Sequence, residues 1–394
     1  MSSVGTPVER RAGRPPLWRD VRVIRAVLQV VFLLAVAGAI WYLVDTLLGN
    51  LRRQGLRTDW DWLRQPAGFA IADTEFRSTQ SFAAAYLVGA RNTIYISAIG
   101  IVLASLLGLV VGVARLSTNW LVRRTAALYV ETFRNVPVLV IIFFLYFAVL
   151  LRLPPISRAV ELGDLVVLSN RGLIVPWLEQ TGGRGILLAA LGVGLVAAAA
   201  IAVWRTRRFD ATGEPHHRVL WALGVLAAAG VAGFFLSGRP YALSLPERGE
   251  LGVANGFRLS PEYAGLLIAL VLYTASHIAE IVRGSILAVD RGQTEAAYAV
   301  GLSELQRLRL VVVPQALRVI IPPLSNQYLN LLKNSSLGVV IAFPELTRVA
   351  RISISQGVPA PQGIALLMAI YLSLSLTIAV LTNIVNRRMT LKER

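Results

Sequence analysis

Four charged side chains fall inside long apolar runs: Arg134, Glu280, Arg283 and Lys333. A charge at membrane depth costs about 2.5–3.5 kcal/mol on insertion scales, so each needs a cavity, a partner or an opposite charge. Glu131 and Arg134 lie three residues apart, as do Glu280 and Arg283. On a helix that spacing puts both members on one face, so each pair can neutralise itself. Lys333 has no acid within a helical turn, and Asn334, Ser335 and Ser336 follow it. Four consecutive polar side chains cannot all face lipid; some line an interior, or the helix breaks there. Thr274 and His277 lie about a turn from Glu280, and Asn135 precedes Pro137, which frees backbone groups in a span.

These groups are suited to holding a polar solute, not to breaking bonds. There is no GxxxxGK[ST] phosphate loop, no HExxH and no Gly-x-Ser-x-Gly turn. With no cysteine, disulfides and thiolate chemistry are excluded. Of the three histidines, His216 and His217 are adjacent in a polar loop, a poor spacing for a metal, and they read as solvated. No enzyme, cofactor or metal site is expected in this chain.

The elements that carry these residues are membrane spans. The chain has 394 residues, 55% of them hydrophobic. Several runs reach the ~20 residues needed to cross ~30 Å of hydrocarbon. The reading is an all-α membrane protein with eight spans, near 26–48, 86–114, 126–151, 186–204, 218–237, 263–287, 320–343 and 364–386. Lys333 falls about midway through the seventh. The net charge of +17 comes mostly from arginines in the connections. That favours topology and anionic lipid over nucleic acid. About 21 basic residues fall on the N-terminal side and about 14 opposite, which puts both termini in the cytoplasm. Arg10, Arg11, Arg14, Arg19, Arg22 and Arg25 precede a first run too long for a signal-peptide core, so it reads as a retained helix. Loop 49–85, with Trp60, Trp62, Pro66 and Phe69, suits a surface helix at headgroup level or a partner-binding loop. Asn92 and Thr93 read as a cap for the second span, with facing the pathway as the alternative. Segment 152–185 reads as an outer, turn-rich connection. The spans at 186–204 and 218–237 are nearly free of polar groups and read as peripheral and lipid-facing.

One polar stretch stands apart, EAAYAVGLSELQRLRLVVVP at 295–314. Glu295, Ala296 and Ala297 begin a short helix whose small residues permit close approach. Gly301 allows a sharp turn, and Pro314 starts a new helix without losing a needed donor. This resembles the EAA motif of ABC-importer permeases, with the same spacing and with Val311 and Val313 in place of Ile and Leu. FRNVPVLVIIFFLYF at 133–147, YTASHIAEIVRGSI at 273–286 and LLKNSSL at 331–337 resemble their counterparts in polar amino-acid permeases, in the same order. The likeness covers about 86–151 and 258–394. PQALRVIIPPLSNQYLNLLKNSSL at 314–337 is similar to the larger first permease subunit of general L-amino-acid uptake systems.

The resemblance implies a type I ABC-importer transmembrane domain, a five-helix core with about three added helices. It divides the chain into 1–85, with the basic N-terminus and extra first helix; 86–151, the first part of the core; 152–257, an insertion with two extra helices; and 258–394, the second part with the coupling segment. It implies a bacterial inner-membrane complex of this chain, a second permease, two ATP-binding subunits that hold the ATP and Mg, and a periplasmic amino-acid-binding protein. ATPase coupling falls to Glu295, Ala296, Ala297, Gly301 and Pro314. An amino acid needs donors for its carboxylate, which Lys333, Asn334 and Ser336 offer, and an acceptor for its ammonium, which Glu280 offers. With Asn135, Thr274 and His277 these form a candidate pathway lining; the competing reading pairs Lys333 and Asn334 with the second permease. The alternatives in other classes are an ion-gradient-driven amino-acid carrier, which usually shows internal repeats not seen here, and a membrane-embedded sensor or scaffold.

Overall fold

The computed structural model describes residues 21–53, 55, 59–163, 165–213, 217–249 and 252–389. The arginines at 10, 11, 14 and 19, and His216, lie outside them. The helices are α1 (Val21–Arg53), α2 (Phe82–Ala114), α3 (Trp120–Asn135), α4 (Val138–Phe143), α5 (Arg184–Thr212), α6 (Arg218–Leu236), α7 (Pro261–Leu287), α8 (Arg291–Ala299), α9 (Glu304–Arg307), α10 (Val313–Asn334), α11 (Leu346–Ser355) and α12 (Ala360–Met389). Seven helical stretches among the described residues are long and apolar enough to cross a membrane, or eight if a bent pair counts as one.

The centre of the fold is the contact of α2 with α7. Ser81 caps α2 by accepting from Ala84 N, and Ser260 caps α7 from Tyr263 N with Pro261 in its first turn. Gly100, Ala104, Gly108 and Gly112 recur every fourth residue on α2 and form a smooth stripe. Added Cβ atoms at Gly108 and Gly112 would stand 2.7 Å from Ile278 and 2.8 Å from Val282. The backbones therefore approach more closely than any side chain would allow, as small-residue stripes permit in membrane helices. Around this pair, Ile141 and Ile142 of α4 and Ala316, Ile320 and Leu331 of α10 close one buried core.

The third span is not one rod. α3 and the helical stretch that starts at Val138 meet at 104°. Pro137 accounts for the break: it removes a donor and disfavours helix at Val136, which is extended at ψ 128°. The seventh span begins earlier than expected, since helix is continuous from Glu304 to Ile341. Its last turns, Ser335–Ile341, tighten to 3-10 geometry, so Lys333 is the penultimate residue of α10 rather than its middle.

Loop 59–81 is neither a surface helix nor an open loop. Trp62, Phe76 and Phe82 are buried with Tyr86 of α2 and Leu346 and Val349 of α11. The Trp62 ring lies 5.9 Å from Phe82 and 6.0 Å from Tyr86, centre to centre. Main-chain bonds Ala67 N to Gln80 O and Gly68 N to Ser78 O fold the segment back on itself. Its aromatics have a protein groove to fill, which is more favourable than the headgroup layer. Asn92 and Thr93 are not caps either. Asn92 Nδ2 donates to Pro344 O at 2.9 Å, and Thr93 Oγ1 accepts from Leu346 N at 3.1 Å. They fasten the turn between α10 and α11 to α2.

The connections around α5 and α6 contain strands: β1 (Val160–Leu162), β2 (Val166–Ser169), β3 (Gly172–Val175), β4 (Trp177–Gln180), β5 (Tyr241–Ser244), β6 (Glu247–Gly249), β7 (Gly252–Ala254) and β8 (Phe257–Leu259). They make an antiparallel sheet in the order β1-β2-β3-β8 and two ribbons, β4-β5 and β6-β7. α5 and α6 pack on each other through Gly194 and Gly233 and bury little else.

Gly108→Leu should overpack the α2–α7 contact, at a cost of about 1–3 kcal/mol. Thermal unfolding of the purified protein should show a lower midpoint. Gly192→Ala in α5, where nothing lies within 4 Å, should leave it unchanged.

Candidate coupling and pathway sites

The segment 291–307 folds as a tight helical hairpin. Asp290 opens α8 by accepting from Gly292 N at 2.6 Å. The helix ends in a left-handed residue, Gly301 at φ +78°. Leu302 N donates to Ala297 O at 3.1 Å and Gly301 N to Tyr298 O at 2.9 Å, which uses up the last carbonyls. Ser303 then starts α9 with a reciprocal cap: Gln306 N donates to its hydroxyl, and Ser303 N donates to Gln306 Oε1.

Arg307 braces the two arms. It donates to Glu304 from α9 and to Thr294 Oγ1 of α8 at 3.1 Å, and its guanidinium lies 5.6 Å from the centre of the Tyr298 ring. Tyr298 also donates to Glu304, and that bond pushes its phenol pKa above the ordinary value. Ala297 is buried, whereas Glu295 and Ala296 face outward. At the tip Val300 and Leu305 are 75% and 74% exposed, with Tyr298 half exposed beside them. A braced hairpin with apolar residues at its tip is built to be gripped.

Pro314 stands in the first turn of α10, as expected, but that helix does not start from a loop. The chain is already helical from Glu304, and a π turn at Leu308–Val312 precedes it.

The expected pathway residues differ in exposure and in what they bond to. Asn135 is exposed at the end of α3, beside the Pro137 bend. Thr274 is buried in the core. His277 turns back on its own helix: Nδ1 lies 3.0 Å from Tyr273 O and its ring is 4.6 Å from the Tyr273 ring. Lys333 is exposed and Asn334 half buried. Ser336 donates to Lys333 O at 2.6 Å. Helix geometry changes at this polar run: Ser335 is fully buried and donates to Leu332 O.

Glu280 is not waiting for an ammonium group. Arg283 binds its Oε1 at 2.5 Å, Arg115 binds its Oε2, and Arg134 stands 3.7 Å from Oε2. Arg134 therefore pairs across helices with Glu280 and not with Glu131 one turn away. Sequence reasoning missed Arg115, since it stands just past a span end with no pattern to mark it. It also missed Glu345, a fully buried carboxylate that accepts from Thr347 N, Arg348 N and the Tyr371 hydroxyl at the start of α11. Sequence reasoning also missed the Ser303–Gln306 cap, although the Ser-x-x-Gln spacing is its signal.

Residues 100–391 match the family described as binding-protein-dependent transport system inner membrane component. The chain belongs to this family. It is 40% identical to the general L-amino acid transport system permease protein AapQ of Rhizobium johnstonii, over 93% of this chain and 92% of that one. It is 39% identical to the putative amino-acid ABC transporter permease protein YhdX of Escherichia coli, over 93% and 94%. It is 37% identical to the glutamate/glutamine/aspartate/asparagine transport system permease protein BztB of Rhodobacter capsulatus, over 93% of each. Among solved structures, "Crystal structure of an amino acid ABC transporter with histidines" aligns with 78% of this chain and 95% of that chain, at 20% identity and a TM-score of 0.47. The permease is thus a multi-pass inner-membrane component of an importer.

Gly301→Ala should strain the α8–α9 turn by about 1–2 kcal/mol, since a Cβ disfavours the left-handed region. Amide hydrogen exchange across 291–307 should quicken about five- to thirtyfold. Gly284→Ala, with nothing within 4 Å and no positive φ, should leave that exchange unchanged.

Proposed function

We propose that this permease moves L-amino acids inward across the membrane, with ATP hydrolysed by separate subunits that grip the α8–α9 hairpin. The observation that carries the reading is the hairpin itself. It is short, doubly capped, braced by Arg307 and tipped by Val300 and Leu305. It also continues without a break into α10, so a push at the tip is delivered to the core helices. The names of the relatives support amino acids as the cargo.

The complex would hold this chain, a second permease subunit, two ATP-binding subunits and a periplasmic amino-acid-binding protein, with both termini of this chain in the cytoplasm. The binding protein delivers its amino acid to the outer face. The ATP-bound motor favours one permease arrangement over the other, and that difference in affinity is what can drive the cycle. Lys333, Asn334, Ser336 and Asn135 line the route; Lys333 and Asn334 offer donors to the carboxylate. Glu280, committed to three arginines, is left out of that lining, as are Thr274 in the core and His277 on its own helix.

Val300→Asp and Leu305→Asp should abolish co-purification of an ATPase while membrane insertion stays normal. Full co-purification in both would remove the hairpin as the grip. Lys333→Ala and Asn334→Ala should lower amino-acid uptake in vesicles with the assembly intact. Unchanged uptake in both would remove them from the route.

A further inference from the structure

Three guanidinium groups from three helices meet one carboxylate. Arg115 follows α2, Arg134 ends α3, and Arg283 sits one turn beyond Glu280 on α7. Among the described residues no second carboxylate lies within ion-pair distance of these arginines. One negative charge faces three positive ones, so two remain uncompensated. The cluster is also open: the side chains of Arg134, Arg283 and Glu280 keep 41%, 30% and 26% of their surface accessible.

Its depth can be read from the helices. After Asn92, the apolar run of α2 covers 94–114. At 1.5 Å per residue that is about 30 Å, the thickness of the hydrocarbon layer. Arg115 follows at once, at the level of the headgroup phosphates. α7 descends beside α2, with Ile278 against Gly108 and Val282 against Gly112, so Glu280 and Arg283 reach the same level. The hairpin α8–α9 leaves the membrane on this side. Along α3, the helix that carries Arg134, Trp120, Leu121 and Leu128 are exposed. A soluble anion would use only the charge. A lipid would use both the cations and this apolar flank.

We propose that Arg115, Arg134 and Arg283, grouped on Glu280, form a binding site for the phosphate headgroup of an anionic phospholipid, in the leaflet on the α8–α9 side. Arg134, the most exposed and least tightly held of the three, is the arm that reaches the phosphate. Glu280 moderates the strength by cancelling one of the three positive charges. This goes beyond the transport reading and does not depend on the identity of the cargo.

The test uses the permease purified with its co-expressed partner subunits, in nanodiscs of phosphatidylcholine with about one-fifth phosphatidylglycerol. Retained phosphatidylglycerol is counted by native mass spectrometry. Arg134→Gln should lower retention about fivefold, the effect of one basic residue near a charged lipid surface. Arg134→Lys should keep most of it. Glu280→Gln should hold the lipid as well as the wild type or better, because it removes the competing negative charge. A merely structural ion pair would instead lose retention in Glu280→Gln as in Arg134→Gln. Equal retention in wild type and Arg134→Gln would overturn the proposal, and so would a parallel loss in Glu280→Gln. Displacement of the lipid by millimolar inorganic phosphate would also overturn it, since the site would then belong to a free anion.

Discussion

The arrangement depends on how closely α2 and α7 can approach. Glycines at 108 and 112 leave no room for a Cβ between the two helices. A membrane interior offers little hydrophobic drive for helix association, so contact must come from packing and hydrogen bonds. The small-residue stripe supplies that contact along most of the span. It also fixes the relative height of the two helices. Arg115 arrives beside Glu280 because of that register, and α8 leaves the membrane where α7 ends.

Other contacts then attach to this pair. Asn92 and Thr93 hold the turn after α10, and the aromatic cap of residues 59–81 closes over α2 and α11. The broken span of α3 and α4 returns to α7 through the Tyr129 hydroxyl, which donates to Leu272 O at 2.8 Å, and through Arg134. The added elements are attached differently. α1 is almost wholly exposed, and α5 and α6 pack on each other.

Much of this was legible in the sequence, because the signals involved are local. Span lengths follow from apolar runs, and the turn at Gly301 follows from a glycine set in the polar stretch 295–314. The polar run at 333–336 announced a change in helix geometry, and Ser335 marks where it occurs. What was not legible depends on partners distant in the chain. Glu131 and Arg134 have ideal helical spacing, yet Arg134 prefers a carboxylate brought to it by packing. Trp62 reads as an interfacial aromatic until α11 supplies a groove. The strands β1 to β8 are three or four residues each, too short to show alternation, and β8 completes a sheet begun some ninety residues earlier.

The rod from Glu304 to Ile341 has unequal stiffness along its length. A π turn lies at its base, Pro322 and Pro323 interrupt the hydrogen-bond ladder midway, and 3-10 turns end it. A column softened at such points yields sideways more readily than it shortens. At each of these points the regular ladder is interrupted or altered, so bending of the rod is easiest there.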